Sequence, residues 1–241
     1  MHLSELTEAS KTASEAQSDW RFVSSIIDHT LLKPEASRLE VERLCEEALQ
    51  YGFACVFVNP CYAALVASLL RGTPVTLGVP VGFPLGASLT CTKRQEALDS
   101  LRLGAQELDM VMNIGALKSG DRNLVLNDIK GVAEVAHNAG ATLKVILETS
   151  LLTLDEKIIA CELSLKSGAD FVKTSTGFSG GGATIEDVAL MRGVVGNRAG
   201  VKASGGIARA KDALAMVHAG ANRIGTSSGI AIVRELGAPA L

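Results

Sequence analysis

Short aliphatic runs recur along the chain at a regular interval, and the segments between them carry apolar residues three or four positions apart. Runs of that kind predict buried strands, and the three-and-four spacing predicts helices that pack on one face. Strands are expected at Ser25–Asp28, Ala54–Asn59, Val75–Val81, Glu107–Met112, Leu143–Glu148, Phe171–Thr174, Val201–Ala203 and Arg223–Gly225. Helical periodicity runs over Leu39–Leu49 and over Leu65–Leu70 after Asn59-Pro60. It returns at Leu98, Leu101 and Leu103, and again at Ile129, Val132, Val135 and Ala136. Gly52, Gly104, Gly140, Gly168 and Gly220 each follow a helical segment and precede a strand. A glycine there takes the left-handed conformation that closes a helix.

Strands alternating with helices predict a parallel sheet with right-handed crossovers. Eight such units in 241 residues predict an α/β fold, a (β/α)8 TIM barrel, as one domain over residues 21–241. An open doubly wound sheet is the alternative. It places its Gly-rich loop after the first strand. Here the first strand runs into Asp28-His29-Thr30-Leu31-Leu32-Lys33-Pro34, and the Gly-rich turns follow the late strands. Residues 1–20, rich in Ser, Thr, Glu and Ala, read as a short polar N-terminal extension.

Composition sharpens this picture. Hydrophobic residues make up 47% of the chain but aromatic ones only 4%, the aliphatic usage of strands covered by helices. A net charge of −3 gives no case for nucleic acid. No apolar stretch approaches the roughly 20 residues of a membrane span. The N-terminus lacks the basic start and apolar middle of a signal peptide, and Glu5, Glu8, Glu15 and Asp19 argue against a transit peptide. The five cysteines are odd in number and form no CxxC pair, so a reduced thiol set and a cytoplasmic location are expected. No HxxxH or DxD spacing occurs, so neither a metal nor a cofactor is expected.

The candidate chemistry lies at the expected strand ends. Lys173 and Lys202 each close an apolar run and are followed by a small-residue turn. A lysine beside a buried strand needs partners if it stays charged. Burial or a second cation lowers its pKa and makes the amine nucleophilic. Lys173 reads equally as an imine-forming amine or as a lysine that extends its ammonium to the barrel rim; a second lysine one strand later favours the former. Asp109 is either a proton partner of Lys202 or part of a structural ion pair. Lys144 either extends that relay, with Asp28 and Thr30 beside the first strand, or pairs with a neighbouring carboxylate. His29 is a base or a structural hydrogen-bonding group, and Cys55 a core residue or a mouth-facing thiol. Three small-residue loops contain Gly177, Gly205 with Gly206, and Gly225 with Ser227 and Ser228. Glycine-rich turns before helices bind phosphate through backbone N–H groups, and barrels place phosphate after strands seven and eight. These six residues are therefore the expected grip on a phosphate ester.

Seven stretches between residues 24 and 232 resemble the deoxyribose-phosphate aldolase family. The most telling are Ile27-Asp28-His29-Thr30-Leu31-Leu32-Lys33-Pro34, Gly82-Phe83-Pro84-Leu85-Gly86, Phe171-Val172-Lys173-Thr174-Ser175-Thr176-Gly177-Phe178 and Val201-Lys202-Ala203-Ser204-Gly205-Gly206, with further matches at 107–113, 143–149 and 223–229. The resemblance implies a metal-free, Schiff-base (class I) lyase. It would cleave 2-deoxy-D-ribose 5-phosphate reversibly to D-glyceraldehyde 3-phosphate and acetaldehyde. It implies Lys173 as the Schiff-base former, Lys202 as its perturbing charge, Asp109 as proton partner and Lys144 as part of the relay. It also implies a homodimer or homotetramer, and a mouth-facing Cys55 open to attack by aldehydes. Two departures stand out. The last residues, Arg234 to Leu241, contain no Tyr, whereas some members carry a terminal Tyr that assists proton transfer. Phe178 stands where some members have a Lys.

Overall fold

The computed structural model describes residues 19–240. The extension expected over residues 1–20 lies outside them, save for Asp19, which caps the first helix, and Trp20, which opens it. Eight strands follow one another round a closed parallel barrel: β1 (Ile27–Leu31), β2 (Cys55–Val58), β3 (Thr76–Val81), β4 (Glu107–Val111), β5 (Thr142–Ile146), β6 (Phe171–Lys173), β7 (Gly200–Ser204) and β8 (Arg223–Thr226). Strand β1 pairs with both β2 and β8, so the barrel closes and the open-sheet alternative is excluded. The helices are α1 (Trp20–Ser24), α2 (Arg38–Tyr51), α3 (Ala63–Leu69), α4 (Thr90–Arg102), α5 (Ile114–Lys118), α6 (Arg122–Asn138), α7 (Leu154–Lys166), α8 (Ile185–Val195), α9 (Ala210–His218) and α10 (Gly229–Glu235). No helix among the described residues is long and apolar enough to cross a membrane.

Local chemistry sets the boundaries. Reciprocal capping boxes, Ser37 with Glu40 and Thr153 with Glu156, start α2 and α7 by satisfying free backbone donors at the N-terminus of each helix. The five glycines expected to close helices all have positive φ, from 68° at Gly52 to 111° at Gly220. The first strand begins two residues later than its hydrophobic pattern predicts. Asp19 caps α1, whose last turn runs into Ser25, so Ser25 and Ile26 are spent leaving a helix. Asp28 and Thr30 therefore lie on β1 rather than after it.

The alternation of the strands separates two interiors. Leu108, Met110, Leu143, Val145, Val172, Val201 and Ile224 point outward into one continuous aliphatic cluster under the helices. The alternate positions point inward, where a small apolar cluster of Leu32, Cys55 and Phe57, with Phe83 against it, shares the space with buried charged side chains. Barrel interiors are ordinarily filled by branched apolar residues. Here the register brings Asp109 beside Lys144, Lys173 beside Lys202, and Lys202 beside Arg223.

Candidate active site

Those inward charges form one contact network. The Asp109 carboxylate accepts from three ammoniums. Its Oδ2 lies 2.7 Å from Lys173 Nζ and 2.7 Å from Lys202 Nζ, and its Oδ1 lies 2.9 Å from Lys144 Nζ. Lys202 also meets Asp28 Oδ2 at 2.5 Å, an ion contact on an oxygen with no aligned hydrogen-bond donor. Lys144 meets Glu107 Oε2 at 2.5 Å. Arg223 donates from Nε to Asp28 Oδ1 at 2.9 Å and bridges to Glu107 at 2.6 Å. Asp28, Thr30, Lys144, Lys173, Lys202 and Asp109 were all expected at the site, and the first and last four meet in this network. Thr30 instead donates to the backbone carbonyl of Asp28 at 2.9 Å.

The electrostatics follow from burial and these pairs. Burial disfavours the charged Asp109, but Lys144, Lys173 and Lys202 outweigh it and hold this carboxyl well below the usual range. Burial likewise opposes Glu107, which Lys144 and Arg223 bring down to about 2. Lys144 is buried too, yet Asp109, Glu107 and Asp28 push its pKa above the ordinary value, so it is firmly charged. Lys173 is different: burial lowers its pKa most, Asp109 opposes, and Lys202 and Lys144 lower it further, to about 8. Burial, rather than the neighbouring cation alone, is thus the leading cause of its depression.

Phe57 supports the three amines from one side. Its ring centroid lies 4.4 Å from Lys202 Nζ, 5.2 Å from Lys173 Nζ and 5.7 Å from Lys144 Nζ, within cation–π range. Glycines make room for this packing. A Cβ on Gly78 would come 2.3 Å from the Phe57 ring, and one on Gly225 would come 3.0 Å from Lys202 Cε.

Above the network opens a cavity of about 420 Å³. Lys173 reaches it, whereas Asp28, Asp109, Lys144 and Lys202 lie beneath its lining. The lining includes Thr30 and all six expected phosphate residues: Gly177, Gly205, Gly206, Gly225, Ser227 and Ser228. Gly205 and Gly206 have φ of 88° and 78°, which turn the backbone toward the cavity in a conformation other residues resist. This turn does not open a helix, as its sequence suggested. Helix α9 starts only at Ala210, and the Glu235 carboxylate already accepts the Ala210 N–H at 2.9 Å. Lys33 is the one other basic side chain of the lining. At the position of the family's occasional lysine, Phe178 stands edge-on to Phe83 at 5.1 Å and leaves an apolar wall.

His29 takes the structural one of its two readings, and the mouth-facing Cys55 that the resemblance implies is corrected. His29 sits on β1 but on the opposite face from Asp28. Its Nε2 meets Glu47 of α2 at 2.8 Å and its ring packs on Phe53 at 4.9 Å, so it joins strand to helix and lies outside the cavity lining. Cys55 points inward but lies one pleat below Phe57, fully buried and outside the cavity lining. Burial and the Glu107 and Asp28 carboxylates push its thiol well above the ordinary value, the reverse of activation. Asp28, Cys55 and Glu107 converge within 4.8 Å, and both carboxylates already hold Lys144, Lys202 and Arg223. The cysteines form no disulfide among the described residues.

Sequence reasoning left out Glu107, Arg223, Phe57 and the role of Glu148. The period-two alternation with Asp109 and Gly225 marks Glu107 and Arg223 as inward. Glu148 was expected on the fifth strand, but β5 ends at Ile146. Glu148 sits beyond it, buried, at φ 58°, among the described residues the one non-glycine with positive φ. Its carboxylate accepts from Thr176 N–H at 3.2 Å, from the Thr176 hydroxyl and from the Ser179 hydroxyl at 3.0 Å. It thereby fixes the loop that carries Gly177 and Phe178 to the cavity.

Known proteins share this arrangement of fold and sequence. The family model described as DeoC/LacD family aldolase matches residues 22–236. The deoxyribose-phosphate aldolase of Aciduliprofundum boonei is 56% identical over 218 residues, 90% of this chain and 98% of that protein. That of Streptococcus sanguinis is 57% identical over 208 residues, 86% of this chain and 94% of its own. Among solved structures, the tetrameric deoxyribose phosphate aldolase of Aeropyrum pernix superposes with a TM-score of 0.85 at 35% identity, covering 92% of this chain and 95% of that one. With the match spanning nearly all of the barrel, the chain belongs to the DeoC/LacD aldolase family.

Proposed function

We propose that this chain cleaves 2-deoxy-D-ribose 5-phosphate reversibly to D-glyceraldehyde 3-phosphate and acetaldehyde through an imine on Lys173. One observation carries the reading: Lys173 is the amine of the buried network that reaches the cavity, and its pKa is lowered to about 8. An amine of that kind is a free nucleophile in a useful fraction near neutral pH.

The neutral Lys173 nitrogen attacks C1 of the open-chain sugar, and loss of water leaves a protonated imine. That cation takes up the electron pair of the C2–C3 bond as the C3 hydroxyl gives up its proton. Glyceraldehyde 3-phosphate leaves, and an enamine stays on Lys173. Protonation at the former C2 and addition of water release acetaldehyde and restore the amine. In this reading Asp109, 2.7 Å from both Lys173 and Lys202, stabilises the iminium and passes protons between the two amines and water. Lys144 is held by Glu107 and Asp109, with Asp28 at 3.9 Å, and supplies fixed positive charge. The turns at Gly205, Gly206, Ser227 and Ser228 hold the phosphate and so keep C1 at the amine, an orientation effect. A phosphosugar is the partner of this site; assembly as a homodimer or homotetramer belongs to the same reading.

A coupled assay for acetaldehyde tests the proposal. Release with deoxyribose 5-phosphate, lost in Lys173→Ala, supports it. An isomerase on the same barrel, or a phosphosugar sensor that binds without turnover, would release none.

A further inference from the structure

The contacts beneath the cavity close into a ring. Asp28 meets Lys202, Lys202 meets Asp109, Asp109 meets Lys144, Lys144 meets Glu107, Glu107 meets Arg223, and Arg223 returns to Asp28. Three carboxylates alternate with three cations; each cation spans two neighbouring carboxylates, and Lys144 also reaches across to Asp28 at 3.9 Å. Lys173 stands outside the ring and hangs from it by the Asp109 contact at 2.7 Å. Asp109 from β4, Lys202 from β7 and Lys144 from β5 act on Lys173 directly, and the other titratable groups of this interior among the described residues are Glu107 from β4, Arg223 from β8, Asp28 from β1 and the neutral Cys55 from β2. The ring is electrically complete without Lys173, so a proton on Lys173 is the surplus charge of a buried interior, which is unfavourable.

We propose that Arg223 and Glu107, at the floor of the barrel and outside the cavity lining, are positioning residues that set how readily Lys173 gives up its proton. They touch neither Lys173 nor the cavity; they act by fixing the charge count of the ring. The inference rests on the reading of Lys173 as the imine-forming amine. It makes a prediction of sign that a merely structural role does not. Removing Arg223 leaves three carboxylates for two ring ammoniums, so Lys173 becomes the third cation and keeps its proton to higher pH. Removing the Glu107 charge leaves three ring cations for two carboxylates, so Lys173 loses its proton at lower pH.

The experiment follows imine formation with acetaldehyde by borohydride trapping across pH 6 to 10. It uses the full-length wild type, Arg223→Met, Arg223→Lys and Glu107→Gln, with circular dichroism to confirm the fold. The wild-type midpoint is expected near 8. A buried unit charge acting across one or two intervening groups moves it by about one unit. Arg223→Met then traps roughly tenfold more slowly at pH 7 and recovers toward pH 10. Glu107→Gln shifts the midpoint by about one unit in the opposite direction and traps several-fold faster at pH 7. Arg223→Lys keeps the charge and leaves the midpoint in place. Glu107→Gln preserves shape and decides alone if Arg223→Met does not fold. Unchanged midpoints, or shifts of the same sign in both variants, overturn the proposal. If the wild type itself yields no adduct on Lys173, the nucleophile assignment fails instead, and the two failures are distinct.

Discussion

Replacing Lys202 by Met tests how the free amine is maintained. The variant removes an ammonium but keeps most of the side-chain volume against Phe57. The two 2.7 Å contacts to Asp109 Oδ2 keep Lys173 Nζ and Lys202 Nζ within about 5.4 Å of each other. At an effective dielectric of about 20, unit charges at that distance repel by roughly 3 kcal/mol, or about 2 pH units. Burial, the larger cause, remains. Lys173 should therefore move from about 8 toward about 10. Its free-amine fraction at pH 7 falls from roughly a tenth to roughly a thousandth, so imine formation slows about a hundredfold. The assay is the rate of borohydride-trapped adduct with acetaldehyde from pH 6 to 10.5, with the fold checked by circular dichroism. The lost rate should return at high pH. A wild-type profile refutes the electrostatic account. A loss that persists equally at every pH assigns Lys202 to another task, such as proton transfer.

Three further outcomes follow from the same geometry. In the folded state Lys173 binds its proton less tightly than in the unfolded chain, so a destabilising contribution is complete below about 8 and vanishes above the unfolded value near 10.4. Lys173→Met should abolish turnover yet raise the free energy of urea unfolding at pH 7, by an amount on the order of 2–3 kcal/mol that shrinks as pH climbs from 8 to 10.5; an equal gain at all pH values contradicts the linkage. Glu148→Ala leaves the Thr176 and Ser179 donors without their acceptor and should cost about 2–3 kcal/mol in urea unfolding. Glu148→Gly, which relieves the backbone at φ 58°, should be less harmful by up to about 1 kcal/mol. In Gly205→Ala, a Cβ would sit 3.0 Å from Gly182 Cα at φ 88°, distorting the turn proposed to hold the phosphate. KM for deoxyribose 5-phosphate should rise about tenfold, equivalent to about 1.4 kcal/mol, while the reaction of unphosphorylated deoxyribose changes little.

The barrel is legible in the chain because its signal is repeated. Eight aliphatic runs and five closing glycines report the same unit, so an error in one boundary does not change the topology. One boundary that failed, at Ser25, lies where Asp19 caps a five-residue helix too short to show a period. The paired positions of Lys173 and Lys202 were readable from equivalent places on neighbouring strands, and the register confirms them as direct neighbours. What could not be read depends on depth and closure. Cys55 and Phe57 share a face, and only height along the barrel axis puts the thiol below the ring. Arg223 meets Asp28 because β8 closes onto β1, a pairing of residues 195 apart in sequence. Glu148 takes its role from a left-handed turn that ends β5 and that no glycine announces.

The central claim is that Lys173, and none of the other buried lysines, forms the covalent bond to substrate. Incubation with acetaldehyde, reduction with borohydride and peptide mass mapping test it directly. An ethyl group is expected on Lys173, with Lys144 and Lys202 unmodified. An adduct on Lys202, or no adduct while acetaldehyde is still released from deoxyribose 5-phosphate, would contradict it.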